Sequence, residues 1–133
     1  MGLKTIGRFT YDSATAQAVD AGGNIPFSTE TATCNLTCDG ETVTIDQCGV
    51  FLVLADVTFV SDGAGTIEAQ LYRNGNAVPG AHAYVSALDE GDYYPVSFCT
   101  VVSIPRCGQA TVNVKVTETV NVTVANLIVM KVA

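Results

Sequence analysis

The sequence lacks tryptophan, carries a single histidine and has only six basic residues. Those six (Lys4, Arg8, Arg73, Arg106, Lys115 and Lys131) are scattered, so no basic stripe or stacking platform exists for nucleic acid. A net charge of −7 makes an anionic membrane surface an equally poor partner. His82 stands alone, with no Ser or Cys nucleophile motif beside it. No catalytic triad can be assembled, so no enzymatic activity and no cofactor are expected. No apolar run reaches the roughly 18 residues a membrane helix needs. Long Ala/Leu/Glu/Lys stretches, repeats and low-complexity segments are missing as well. The start, MGLKTIGRFTYDSATAQ, has no apolar signal-peptide core, and Ile6 stands where a myristoylation signal needs Ser or Thr. Synthesis in a cytoplasm without general export is the expectation.

What is present points to β-structure. Thr, Val, Gly and Asn are abundant, and 133 residues suit one domain with a core of its own. Hydrophobic residues make up 48% of the chain and charged residues only 14%. That charge content is low for a soluble monomer and suggests a surface buried in an oligomer. The five cysteines form an odd set, which argues against a fully paired secreted framework.

Residues 48–60, CGVFLVLADVTFV, organise the rest. As a strand, Phe51, Val53, Ala55, Val57 and Phe59 share one face. Val50, Leu52 and Leu54 share the other, which turns polar at Asp56 and Thr58. Either set is a credible core, and the second apolar face needs its own cover. Residues 1–20 read as a first strand or an arm, and 21–24 as a turn. Pro26 limits 25–27 to a short or edge strand, and 28–41 is small and polar, ending at the Asp39-Gly40 turn. Val43 and Ile45 alternate next. Ile67, Ala69 and Leu71 point inward from 66–73, and Asn74-Gly75 is a strong hairpin signal. The following arm, 77–87, is interrupted at Pro79-Gly80. Tyr94, Val96, Phe98, Val102 and Ile104 share a face of 93–105; Ala110, Val112, Val114 and Val116 share one of 110–117. The stretch 120–132 alternates until Asn126 and is apolar on both faces from 127. This amounts to about eight to ten strands in an antiparallel two-sheet sandwich. Segments 50–54, 93–104 and 127–132 are apolar on both sides, and the simplest extra cover is another copy of the chain.

The order of motifs resembles the trimeric jelly roll of the tumour-necrosis-factor and complement-globular-head type. It is most similar to heads of bacterial collagen-like spore-surface proteins and to phage structural proteins. The residues that carry the resemblance are GGNIPF (22–27), TVTI (42–45), CGVFLV (48–53), LYRNGNAVPG (71–80) and LIVMKVA (127–133). The resemblance spans about residues 20 to 133 and implies a homotrimer. It places 48–60, 93–104 and 120–132 around the threefold axis, the strands already found apolar on both faces. Expected interface residues are Val50, Leu52, Leu54, Tyr93, Tyr94, Val96, Phe98, Leu127 and Val129. No Gly-X-Y stalk is present, which leaves residues 1–20 as the segment that attaches the 21–133 jelly-roll domain, through Lys4, Ile6, Arg8 and Phe9. The expected role is a structural protein of a phage virion: a trimeric capsid decoration (cement) protein on the virion surface, bound to a major capsid or other particle protein. The alternative is a receptor- or glycan-binding head of a phage fibre or spore-surface filament, acting through apical loops 61–65, 74–80 and 88–92.

The same resemblance makes 48–60 and 93–104 antiparallel neighbours and brings Cys48 toward Cys107. A disulfide there, a zinc site of Cys34, Cys38, Cys48 and Cys107, and unpaired buried thiols are the alternatives. The spacing matches no metal motif, so no metal is expected. Cys99, in a strand interior, is expected in the core. Complement-type heads hold calcium near the apex, but the turn acids Asp62, Asp89, Glu90 and Asp92 form no calcium loop and read as solvated. The two Asn-X-Thr matches, at Asn35 and Asn121, read as chance.

Overall fold

A computed structural model describes residues 5–32, 35–60, 65–87 and 89–133. Among the described residues ten strands and no helix are present. In chain order they are β1 (Ile6–Val19), β2 (Thr29–Ala32), β3 (Leu36–Cys38), β4 (Val43–Ile45), β5 (Gly49–Val60), β6 (Gly65–Arg73), β7 (Asn76–Ala87), β8 (Tyr93–Ile104), β9 (Ala110–Val116) and β10 (Val120–Lys131). The first sheet has the order β2-β1-β10-β5-β8 and the second β3-β4-β9-β6-β7. Every pairing is antiparallel. Chain neighbours are mostly dealt to opposite sheets, as in a jelly roll.

Period-two alternation decides what each strand contributes to the core. From the first sheet, Phe9, Phe51, Val53, Phe59, Leu127 and Val129 are fully buried. From the second, Val43, Ile45, Leu71, Val112 and Val114 meet them. Each such side chain contributes about 1.5–3 kcal/mol by leaving water. The open choice on β5 is thus resolved: Phe51, Val53, Ala55, Val57 and Phe59 form the core set. Two polar contacts satisfy buried side chains away from the core. Asn113 donates from Nδ2 to Asn24 Oδ1 at 2.6 Å, and the buried Thr5 hydroxyl donates to Gln47 Oε1. Residues 22–25 run beside β9, with Ile25 N donating to Val114 O at 2.8 Å.

One open choice is resolved and two expectations change. Residues 6–19 are the first strand and not an arm; β1 pairs with β10 on one side and β2 on the other. The polar stretch 28–41 holds two short strands, β2 and β3, which pair with β1 and β4. β7 runs through Pro79-Gly80 as one strand with a bulge, where Gly80 takes φ +80°. The Gln70 amide fills that bulge, donating to the carbonyls of Leu71, Val78 and Ala81 at 2.9, 2.8 and 3.2 Å. The Asn74-Gly75 hairpin forms as expected, both residues having positive φ (50° and 83°).

At the start of β5 the last residues continue the β10 ladder alongside it. Val50 N donates to Ala133 O at 3.0 Å, and Val132 N to Val50 O at 2.8 Å. Gly49 sits under this clamp at φ +136°, and a Cβ there would lie 2.7 Å from Ala133 O.

Candidate functional site

The second face of the first sheet is the distinctive surface. Strand register arranges its outward side chains in rows. The first row runs Ile6, Met130, Leu52, Val101 across β1, β10, β5 and β8. The next runs Arg8, Ile128, Leu54, Cys99, continued by Thr31 on β2. The third is polar: Thr10, Asn126, Asp56, Ser97. Beyond it, Val60 on β5 is opposite Tyr93 on β8. Leu54 leaves 37% of its surface to solvent, Val101 57% and Tyr93 67%. Leu52, Ile128 and Met130 are partly buried among these neighbours. Seven of the eight positions in the first two rows are uncharged, and the exception is Arg8.

Two shallow depressions lie in this face. One, of about 620 Å³, is lined by Arg8, Leu54, Asp56, Ser97, Asn126 and Ile128 among others. The other, of about 520 Å³, lies between Ile6, Arg8, Thr31 and Ile128. Arg8 and Ile128 form the ridge between them.

The outer face of the second sheet is different in kind. Glu68, Gln70 and Tyr72 on β6 are flanked by His82 and Tyr84 on β7 and by Asn113 and Lys115 on β9. These groups partner one another: His82 Nδ1 lies 3.5 Å from Glu68 Oε2, and the Lys115 ammonium sits 4.9 Å from the Tyr72 ring centre.

The structure divides the expected interface residues. Val50, Leu52, Leu54 and Tyr93 face outward from the first sheet. Val96, Leu127 and Val129 are buried, and Tyr94 and Phe98 pack against the same core. Those five belong to the core side of the sheet, Val96, Leu127 and Val129 buried and Tyr94 and Phe98 partly so. Their outward counterparts, Ile128, Met130, Cys99 and Val101, are not among the expected interface residues. Of the expected attachment residues, Phe9 is fully buried, Ile6 and Arg8 are exposed on the outer face, and Lys4 lies outside the described residues. The proposed apical loops do not form one cluster. Gly65 pairs with Ala87 at one end of the β6–β7 hairpin, and the 74–75 turn closes the other.

Cys48, Cys99 and Cys107 are exposed free thiols, so Cys99 belongs to the surface and not to the core. Its partner across the ladder is Leu54. Cys38 is half-buried, and burial pushes its thiol above the ordinary range. Cys34 lies outside the described residues. Among the described residues no three His, Cys, Asp or Glu side chains converge for a metal. Asp89, Glu90 and Asp92 are exposed; Asp62 lies outside the described residues. Thr123 of the second Asn-X-Thr match is buried, donating to Thr58 O at 3.3 Å.

Neither a protein-family model nor a curated protein matches the chain by sequence. Solved structures do match by shape. The globular domain of zebrafish complement 1qA protein superposes with a TM-score of 0.75 at 10% identity, over 98% of both chains. Eiger TNF from S. frugiperda gives 0.74 at 14% identity, covering 98% of this chain and 93% of that one. Murine APRIL gives 0.70 at 14% identity, covering 98% and 100%. The fold is therefore the two-sheet jelly roll shared by tumour-necrosis-factor proteins and complement globular heads.

Proposed function

We propose that the chain assembles as a homotrimer through the outer face of β1, β10, β5 and β8. In this reading it is a non-enzymatic structural component of a phage virion, a capsid decoration protein on the virion surface. The observation that carries the assembly is the pair of apolar rows, Ile6–Met130–Leu52–Val101 and Ile128–Leu54–Cys99. A contiguous apolar field on one sheet, beside a polar field on the other, is a surface selected for cover. The shared fold supports a threefold arrangement. The decoration role rests on the small, charge-poor body and on the phage structural proteins that the motifs resemble. Ile6 and Arg8 belong to the assembly face, so attachment to the particle falls to the residues before them, Lys4 included. Three copies would bind avidly.

Sedimentation velocity tests the assembly: a trimer at micromolar concentration is expected, and a stable monomer would refute it. Removal of residues 2–20 would delete the whole of β1 and cannot isolate attachment. Removal of 2–4 spares the strand. That shortened trimer is expected to stop co-sedimenting with capsids, and unchanged co-sedimentation would refute the attachment role.

A depression of about 350 Å³ favours a second reading. It lies at the β6–β7 turn, lined by Arg73, Asn74, Asn76 and Pro79. A hollow that sets Arg73, Asn74 and Asn76 beside Ala77, Val78 and Pro79 suits a receptor- or glycan-binding head. Glycan-array binding that is lost on Asn76→Ala would support this reading over decoration.

A further inference from the structure

Within the assembly proposed above, one ion pair can be assigned. We infer that Arg8 of each copy pairs with Asp56 of the neighbouring copy and sets the register of the trimer. The inference rests on the homotrimer reading and adds to it the contact that fixes which surfaces meet.

Arg8 is the one cation among the outward positions of the described first sheet, set in the row of Ile128, Leu54 and Cys99. Asp56 is in the next row, between Asn126 and Ser97, and both residues are exposed. Among the described residues the one charge-type contact between side chains is His82 with Glu68, so none of the described acids pairs with Arg8 in its own copy. Arg8 and Asp56 are two strands and one row apart, about 12 Å between Cα atoms by strand spacing and rise. They line opposite sides of the same 620 Å³ depression.

Covering the apolar rows necessarily covers both charges. An ionised group buried without a partner is strongly unfavourable, and pairing it offsets that cost. A threefold interface brings unlike surfaces together: position i of one copy meets position j of the next. The one outward cation of the face, Arg8, and its central carboxylate, Asp56, satisfy this rule by pairing between copies. Asp12 is the other outward carboxylate on this sheet, but it sits at the β1 bulge, on the margin of the face. Asp56 is on β5, with β10 and β8 on either side, where cover is complete.

The test uses charge reversal in the full chain. Arg8→Glu and Asp56→Arg are each expected to weaken assembly at least about 100-fold, and the double reversal to recover most of it. Mixing the two single variants is the decisive arm. If the pair forms between copies, a mixed trimer restores two of its three contacts, and the mixture assembles although neither variant does alone. If the double variant assembles but the mixture does not, the pair lies within one copy and the inference is overturned. Unchanged assembly of the single variants overturns it too, while leaving the trimer intact. A monomeric wild type removes the trimer reading itself. Both residues are exposed, so each variant should keep the wild-type unfolding midpoint. Should a reversal disturb the fold, Arg8→Gln and Asp56→Asn substitute: each is then expected to weaken assembly, and unchanged assembly by both overturns the pair.

Discussion

Neighbouring residues on β5 provide a sharp test of which face does what. Leu54 points out of the first sheet, and Val53 points into the core with none of its surface exposed. Leu54→Asp should leave the folded monomer almost unchanged, since surface substitutions usually cost less than about 0.5 kcal/mol. Its effect should fall on assembly. With 37% of Leu54 still open to solvent, covering it contributes about 1.5 kcal/mol per copy, or roughly 4–5 kcal/mol over three copies. The new carboxylate would also share a face with Asp56, two residues along the strand, and like charges there add to the loss. Trimer dissociation should therefore rise at least about 1,000-fold, read by sedimentation velocity across a concentration series. Val53→Ala should do the opposite. It removes two methyl groups from a closed site, costs about 2 kcal/mol of folding stability in a denaturant titration, and leaves the outer face intact. Two results would refute the reasoning: a Leu54→Asp trimer as tight as wild type, or a Leu54→Asp chain as unstable as Val53→Ala.

Other substitutions probe the frame around that face. Gly49→Ala combines a positive φ with a Cβ placed 2.7 Å from the Ala133 carbonyl, so it should cost about 2 kcal/mol or more and speed amide exchange at Val50 and Val132. Wild-type exchange there would discount the terminal clamp. Asp39 Oδ1 accepts from Thr42 N at 2.8 Å and Glu41 N at 3.0 Å, and these bonds hold its carboxyl below the usual range. The group binds its proton less readily when folded, so its stabilisation is full above about pH 4 and fades as pH drops through the lowered native value. Asp39→Ala should therefore lower stability slightly at neutral pH and flatten the acid limb of the stability curve; an unchanged limb would count against the turn. His82→Ala breaks a half-exposed pair with Glu68 and should shift stability by less than about 1 kcal/mol in thermal unfolding.

Alternation made most of the sandwich legible in the sequence. Strands β5, β6 and β9 carry unbroken apolar faces, β8 one interrupted only at Thr100, and the Asn74-Gly75 turn fixed one hairpin outright. The phase of β5 was not legible: Phe51 and Val53 on one face and Leu52 and Leu54 on the other are both apolar, and only the burial of Phe51, Val53, Ala55, Val57 and Phe59 assigns the core side. β10 was harder. A bulge between Val122 and Val124 shifts its register, so Val122 and Leu127 both face inward although one is even and one odd. Counting by twos across that bulge cannot separate Leu127 and Val129 from Ile128 and Met130, because both sets are apolar. β2 and β3 were missed for another reason. They are three or four residues long, β2 is exposed throughout, and each is defined by its ladder to β1 or β4 and not by its own composition. The exposed Cys99 was misplaced because a small thiol suits either face of β8; only the register opposite Leu54 assigns it outward.

Residue choice on the outer face of the first sheet carries information beyond hydrophobicity. Strand propensity alone would be met there by Thr or Val, as it is at Thr10, Thr58 and Val124 on the same sheet. Leu52, Leu54 and Met130 are neither β-branched nor aromatic, so propensity does not select them. The core does not select them either, since Phe51, Val53 and Val129 fill it from the opposite side of the same strands. Leu and Met offer long, adaptable apolar surface, which is what a packed contact between two bodies uses and a wetted strand face does not. On the second sheet the equivalent positions hold Glu68, Gln70 and Lys115, which bond to their neighbours or stack on them. One core with two unlike outer faces gives the sandwich a direction, apolar across the outside of the first sheet and polar and self-partnered across the second.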